Sequence, residues 1–460
     1  MSAISSNVDR TAGGSGSGSG SGGDGGGNPQ PPRPSFLASL WAQSGRAFLV
    51  PILAIFTALV ISGLVIWLTT GDLQKVIGPE GAFAGLWQGA VGTPRNIAAT
   101  LVTATPYIFA GLSVALAFKC GLFNIGAEGQ LAAGAVTTAF VGYAIQGVPF
   151  PIHLILALGA GLLAGLLWGA IPGVLKAYTG AHEVIITIML NYIALGIVAY
   201  LLGGPMKDRT PGNVQARTPL ITSEAQLPQL FAGSDWQMHL GVPLAVLTAA
   251  LVYWFLRRTT WGFEIKTVGA NPHAARYAGM SVPRSIILAM GLAGMLAGAA
   301  GAFEVTGVTR RHELGFGAGY GFDSIAVALL GRTNPFGVVA AAILFGGLKS
   351  GATQMQFNTQ ISSSIISVVQ GLILLFVAAD VIITWLYRIK VKPVGTTMSL
   401  APAALAASVG ASAAEAPLTD APEETPIAES YPKSDPATGD DTPTTKERGS
   451  GRYEAGGEEP

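Results

Sequence analysis

Nine stretches of predominantly apolar sequence leave this chain little choice of fold, running at about 48–69, 97–117, 126–146, 151–175, 184–203, 239–256, 285–305, 335–351 and 364–387. Most lie close to the ~20 residues that a helix needs to cross a bilayer. A tenth, Phe322–Leu330, is apolar but short. In hydrocarbon every backbone N–H and C=O must be satisfied by protein, so segments of this kind fold as helices. The expectation is an all-α polytopic membrane protein with about ten transmembrane segments, one of them short or broken. Composition agrees: 50% of the 460 residues are hydrophobic and 11% are charged, against about 25% charged in a soluble domain.

The two ends read differently. Residues 1–45 open with a Gly/Ser repeat and a proline-rich run, a composition that cannot bury apolar area. They lack the basic start and early apolar core of a secretory signal. Residues 391–460 are rich in Ala, Pro and Thr, with twelve acids against five basic residues. Both ends are expected to be disordered tails around a transmembrane domain spanning 46–390. Basic residues set the orientation. Arg33 and Arg46 precede the first span, Arg257, Arg258, Lys266, Arg276 and Arg284 crowd one loop, and Arg388, Lys390 and Lys392 follow the last span. All three regions, and so both termini, are expected in the cytoplasm. Parity agrees if the short segment crosses. Lys207, Arg209 and Arg217, and Arg310 with Arg311, then fall outside as exceptions.

Four stretches between or within the spans are too polar to face lipid. Lys119–Leu131 sets Asn124, Glu128 and Gln130 among glycines, and such groups at membrane depth usually meet a partner, a cavity or a solute path. His182–Tyr192 carries Glu183, read as a helix N-terminal charge, and Asn191, which either bonds a neighbouring helix or contacts a solute. Gly315–Ser324 alternates glycine with Phe316, Tyr320 and Phe322, and its Asp323 either caps the short helix or binds a polar ligand group. Glu304 is a further intramembrane acid, within reach of Arg310 or Arg311. In the cytoplasmic loop, Asn271-Pro272 predicts a helix start and Gly279 a stop. The short helix between them reads either as a docking knob for a partner or as a plain basic loop. Gly291, Gly294, Gly298 and Gly301 are expected to serve close helix packing.

Other chemistries find no support. There is no phosphate-binding Gly-x4-Gly-Lys-Ser/Thr loop, serine nucleophile elbow or metalloprotease helix. Cys120 is the single cysteine, so no internal disulfide forms. His153, His182, His239, His273 and His312 show no metal-ligand spacing. A net charge of zero gives no case for a nucleic-acid partner.

At these motifs the chain resembles bacterial ABC-importer permeases of the branched-chain amino acid, simple-sugar and nucleoside family, closest to the nucleoside and simple-sugar branch. The resemblance rests on Gly121-Leu-Phe-Asn-Ile-Gly-Ala-Glu-Gly-Gln130, His182-Glu-Val with Met189-Leu-Asn191, Asn271-Pro with Tyr277-Ala-Gly279, and Gly319-Tyr-Gly-Phe-Asp-Ser followed by Asn334-Pro335. It covers about residues 45–390. Sugar permeases proper usually carry a Gly-Ile-Asp-Leu-Ser-type sequence where this chain has Leu122-Phe-Asn-Ile125, which weighs against a ribose-type cargo.

The resemblance implies a permease subunit that moves a small polar solute inward by alternating access across the bacterial plasma membrane, without being an enzyme. It implies partners: a second permease, an extracytoplasmic solute-binding lipoprotein, and ATP-binding subunits that carry the ATP and Mg while this chain holds no cofactor. The docking helix then maps to Asn271, Pro272, Ala274, Ala275, Tyr277, Ala278 and Gly279. For a nucleoside cargo, Phe123, Phe316 and Phe322 are candidates to stack on the base, and Asn124, Glu128, Gln130, Asn191 and Asp323 to bond polar edges along the pathway. Lys119 lies near the cytoplasmic face, so the 119–131 stretch either sits deeper than the span boundaries suggest or gates the path below a cavity. Two rivals remain: the same machinery with a sugar or amino acid as cargo, and an ion-coupled carrier using Glu128, Glu304 and Asp323.

Overall fold

The computed structural model describes residues 36–388, apart from 232–235, 237, 318, 380–381 and 384–385. Of the tails expected at 1–45 and 391–460, residues 1–35 and 391–460 lie outside the described residues, while 36–45 are helical. The described chain is all-helical, with two isolated β-bridges and no strand. Its helices are α1 Phe36–Thr70, α2 Gln74–Ile77, α3 Ala82–Val91, α4 Pro94–Lys119, α5 Ala127–Ala144, α6 Ile152–Thr179, α7 Glu183–Gly203, α8 Gly241–Arg258, α9 Thr260–Ala270, α10 Pro272–Tyr277, α11 Val282–Glu304, α12 Tyr320–Leu330, α13 Pro335–Thr359 and α14 Ile365–Ala378. A π-helical turn, Val305–Thr309, extends α11. Helix α1 begins at Phe36, ahead of the boundary expected at 46.

Seven helices are long and apolar enough to cross a membrane among the described residues: Pro51–Thr70 of α1, then α4, α6, α7, α8, α11 with its π turn, and α13. The other three segments expected from sequence are present as helices of a different kind. The 18 residues of α5 carry Glu128, Gln130, Thr137 and Thr138 and are too polar to stand out. The 11 residues of α12 and 14 of α14 are apolar but short. Helices α2, α3 and α9 were not expected; α3 packs against α13.

Helices α5, α6 and α11 pack together through small residues. A Cβ at Gly294 would collide with the Gly165 carbonyl oxygen, and one at Gly301 with that of Leu131. Gly298 is also tightly placed, though less so, against Gly161 and Gly165. Backbones this close need residues without side chains. Gly291 differs, since its nearest neighbours stand 3.9 Å away.

Loop contacts define the two ends of the bundle. At one end Gly121 meets the backbone of Gly269 at the close of α9. At the other, the segment after α7 seals against the chain around 305–313. Thr218 N–H donates to His312 O (2.8 Å), Ile221 N–H to Arg310 O (2.9 Å) and Leu227 N–H to Thr306 O (2.9 Å). Three buried histidines, His153, His239 and His312, lie under this seal. Glu304 makes no ion pair with Arg310 or Arg311: the two ion pairs among the described residues are Lys176–Glu183 (2.9 Å) and Arg217–Asp208 (3.7 Å). Arg310 sits at positive φ (57°) where the π turn ends, and Arg311 follows it into the seal.

Candidate functional site

Between α4 and α5 the chain breaks for seven residues, 120–126, running from the exposed Gly121 at one end of the bundle to the buried Asn124 and Gly126. Where the break is buried its polar backbone is out of reach of water, so side chains must satisfy it. Asn191, from α7, does much of this. Its Oδ1 accepts from Gly129 N–H (2.9 Å), one of the free donors in the first turn of α5, and its Nδ2 donates to Ile125 O (2.9 Å). Asn124 folds back on the same turn. Its Nδ2 donates to Gln130 Oε1 (2.9 Å) and Ser113 Oγ (3.3 Å), while its Oδ1 accepts from Gln130 Nε2 (3.0 Å) and Gly126 N–H (3.1 Å). Asn124, Gln130 and Asn191 are all buried. Of the two readings of Asn191, the geometry displays the helix-to-helix bond.

Glu128 reaches out of this turn to another helix. Its two carboxylate oxygens accept from Gly319 N–H (2.9 Å) and Gly321 N–H (2.7 Å), at the start of α12. The N-terminal end of a helix carries partial positive charge and unpaired N–H groups, so a carboxylate is favoured there. The approach is close, because a Cβ at Gly321 would collide with the Glu128 backbone N. Glu128 therefore fills the capping role that the sequence offered to Asp323. Asp323 instead accepts from the Tyr107 hydroxyl of α4 (3.0 Å).

The sequence-derived candidates thus fall in several places. Asn124, Glu128, Gln130 and Asn191 share the break. Phe322 and Asp323 follow on α12, with Phe322 47% exposed. Phe123 packs on Phe118 (4.8 Å between ring centroids), and Phe316 on His312 (4.7 Å), near opposite ends of the bundle. Sequence reasoning passed over Tyr107, whose interior position on an apolar span gave no signal. Glu183 stands in the first turn of α7, as expected, and is also paired with Lys176.

At the other motif, Asn271 caps α10, its Oδ1 accepting from His273 N–H (3.0 Å) and Ala274 N–H (3.1 Å). Pro272 occupies the first helical position and Gly279, at φ +81°, ends the turn. Ala275 is buried and Tyr277 is 94% exposed. A cavity of about 390 Å³ opens beside it, lined among others by Trp261, Glu264, Gly279 and Arg284. No group of three His, Cys, Asp or Glu placed to hold a metal occurs among the described residues.

An apolar helical bundle with seven helices among the described residues long enough to cross a bilayer has the build of a polytopic membrane protein. Comparison with known proteins makes the class specific: residues 96–378 match the branched-chain amino acid transport system permease component, and the chain belongs to that family. It is 42% identical to the guanosine ABC transporter permease protein NupP of Bacillus subtilis over 72% of this chain and 93% of the relative. It is 36% identical to the nucleoside ABC transporter permease protein NupB of Lactococcus lactis, over 74% and 92%. The glucose ABC transporter permease protein TsgB13 of Haloferax volcanii is 32% identical, over 72% and 87%. No solved structure matches the chain.

Proposed function

We propose that this chain is the permease subunit of an ABC importer whose cargo is a nucleoside. The observation that carries the reading is its 42% identity to a permease named for guanosine, across nearly the whole of that protein. ATP and Mg act on partner ATP-binding subunits, and α10 is the helix on which they dock. Its side-chain cap, its buried Ala275 and its projecting Tyr277 support that role, with Asn271, Pro272, Ala274, Ala278 and Gly279 fixing its shape. A second permease and an extracytoplasmic lipoprotein complete the assembly, with membrane lipid around it.

Ten segments cross the plasma membrane in this reading: the seven long helices together with α5, α12 and α14. Both termini are cytoplasmic and 46–390 forms the membrane domain, the tails lying outside it. Arg257, Arg258, Lys266, Arg276 and Arg284 support that side for α9 and α10. Phe322 and Asp323 border the solute path on the open face of α12. Asn124, Glu128, Gln130 and Asn191 hold the turn beside it, with Phe123 and Phe316 towards its two ends. Uptake of labelled guanosine by vesicles carrying the assembled importer tests the cargo. ATP-dependent accumulation competed by other nucleosides but not by glucose is expected. The relative named for glucose supports a second reading, and uptake of glucose alone would establish that one instead.

A further inference from the structure

Helix α8 ends on two arginines, Arg257 and Arg258, both exposed. Ahead of them Leu247, Leu251 and Trp254 are exposed as well. With Arg258 these fall at i, i+4, i+7 and i+11, so they share one face of the helix. That face is apolar for about two turns and cationic at its end. Because α8 is long and apolar enough to cross a membrane, its last turn falls at the bilayer surface.

The end of α8 is firmly held. The Arg257 guanidinium sits over the Tyr253 ring, 4.6 Å from its centroid, and that ring lies against Phe336 at the start of α13 (5.2 Å). A guanidinium seated on an aromatic ring keeps its in-plane N–H groups free to bond. The corner that follows is closed as well. The Thr259 hydroxyl donates to Phe255 O (2.7 Å) and accepts from Gly262 N–H (3.0 Å), and a Cβ at Gly262 would collide with the Phe255 carbonyl oxygen. Helix α9 buries Gly262, Ile265 and Val268 and leaves Trp261 and Phe263 exposed. Tryptophan and tyrosine gather where hydrocarbon gives way to headgroups, which fits Tyr253, Trp254 and Trp261 beside the arginines.

The two arginines have no anion. No ion pair among the described residues includes either of them, and the arginine side chain that donates a hydrogen bond there is Arg217. From Gly241 to Arg284 the chain carries five Lys/Arg against a single acid, Glu264. We propose that Arg257 and Arg258 bind the phosphate of an anionic phospholipid, with an acyl chain laid along Leu247, Leu251 and Trp254. The guanidinium fork matches phosphate oxygens, and the apolar strip leads from the charge into hydrocarbon as a phospholipid does. Unpaired cations select an acidic headgroup, since a zwitterionic one brings its own positive charge. A soluble phosphate would satisfy the arginines and leave the strip unused. The site does not depend on which solute the permease carries.

The test is a lipid titration of the full-length chain in detergent, read by native mass spectrometry, with phosphatidylglycerol and phosphatidylcholine of matched acyl chains. Phosphatidylglycerol is expected to bind about tenfold tighter or more. Arg257→Gln and Arg258→Gln are each expected to weaken phosphatidylglycerol about fivefold and to leave phosphatidylcholine unchanged. Arg95→Gln makes the same change of charge at the exposed start of α4, and is expected to alter neither affinity. Glycerol phosphate, which lacks acyl chains, is expected not to displace the lipid at equal concentration. Equal affinity for the two lipids overturns the site and leaves the strip to a neighbouring membrane chain. Unchanged phosphatidylglycerol binding in either α8 variant, an equal loss in Arg95→Gln, or displacement by glycerol phosphate overturns it too.

Discussion

Single side chains in this protein do the work that backbone does elsewhere. Asn191 and Glu128 each satisfy two main-chain groups that the breaks before α5 and α12 leave free. Each such group, once orphaned in a dry interior, costs about 1–3 kcal/mol. Asn191→Ala and Glu128→Ala should therefore both lower the melting temperature of the detergent-solubilised protein. Glu128→Gln should fall between Glu128→Ala and the native chain, because an amide keeps one acceptor and loses the other. Equal melting temperatures for all four proteins would remove these contacts from any account of stability. That Asn124, Glu128 and Gln130 need partners was legible in the sequence, since amides and acids inside an apolar run demand them. Their partners were not. Glu128 bonds residues 191 and 193 positions away, and no local pattern announces a cap supplied from so far.

Among the helices, glycine spacing was legible as packing and largely held. Gly294, Gly298 and Gly301 lie where α11 touches α5 and α6, whereas Gly291, on the same helix, faces looser surroundings. That contrast gives a matched pair. Gly294→Ala forces a methyl group into the Gly165 carbonyl and should destabilise the bundle by about 1–3 kcal/mol. Gly291→Ala meets only ordinary contacts and should be neutral or mildly stabilising, by up to about 1 kcal/mol from helix propensity. Thermal unfolding of the two variants side by side checks both signs. Helix α10 could be read residue by residue, because an Asn-Pro start and a Gly stop are local chemistry. Helices α2, α3 and α9 could not, because short apolar stretches beside long spans carry no boundary of their own.

Across the whole molecule, hydrophobic runs revealed the bundle but not the seal that closes one end of it. That seal joins residues 218–227 to 306–312 through loop backbone, which has no periodicity to read. It also encloses His239 and His312, whose imidazoles burial holds down to about 4, below the usual 6.5. The unfolded chain thus takes up protons that the folded one refuses. The contribution of these residues is intact above pH 6.5 and is lost as pH falls from there towards 4, by up to about 3 kcal/mol each. Melting temperature should drop between pH 7 and pH 5, and His312→Gln should flatten the slope; an unchanged slope would refute the assignment. The orientation of the molecule is open to labelling as well. Val214 is 89% and Tyr277 94% exposed, and they lie towards opposite ends. In intact cells an impermeant thiol reagent should reach Val214→Cys but not Tyr277→Cys, and the reverse pattern would invert the topology.

The meeting of Gly121 with Gly269 carries a mechanical consequence. Gly269 is two residues from Asn271, the cap of α10, and Gly121 begins the turn that leads to Glu128 and its grip on α12. One backbone contact and one carboxylate thus connect the chain just before α10 with the start of a half-length helix in the interior, beside Asp323.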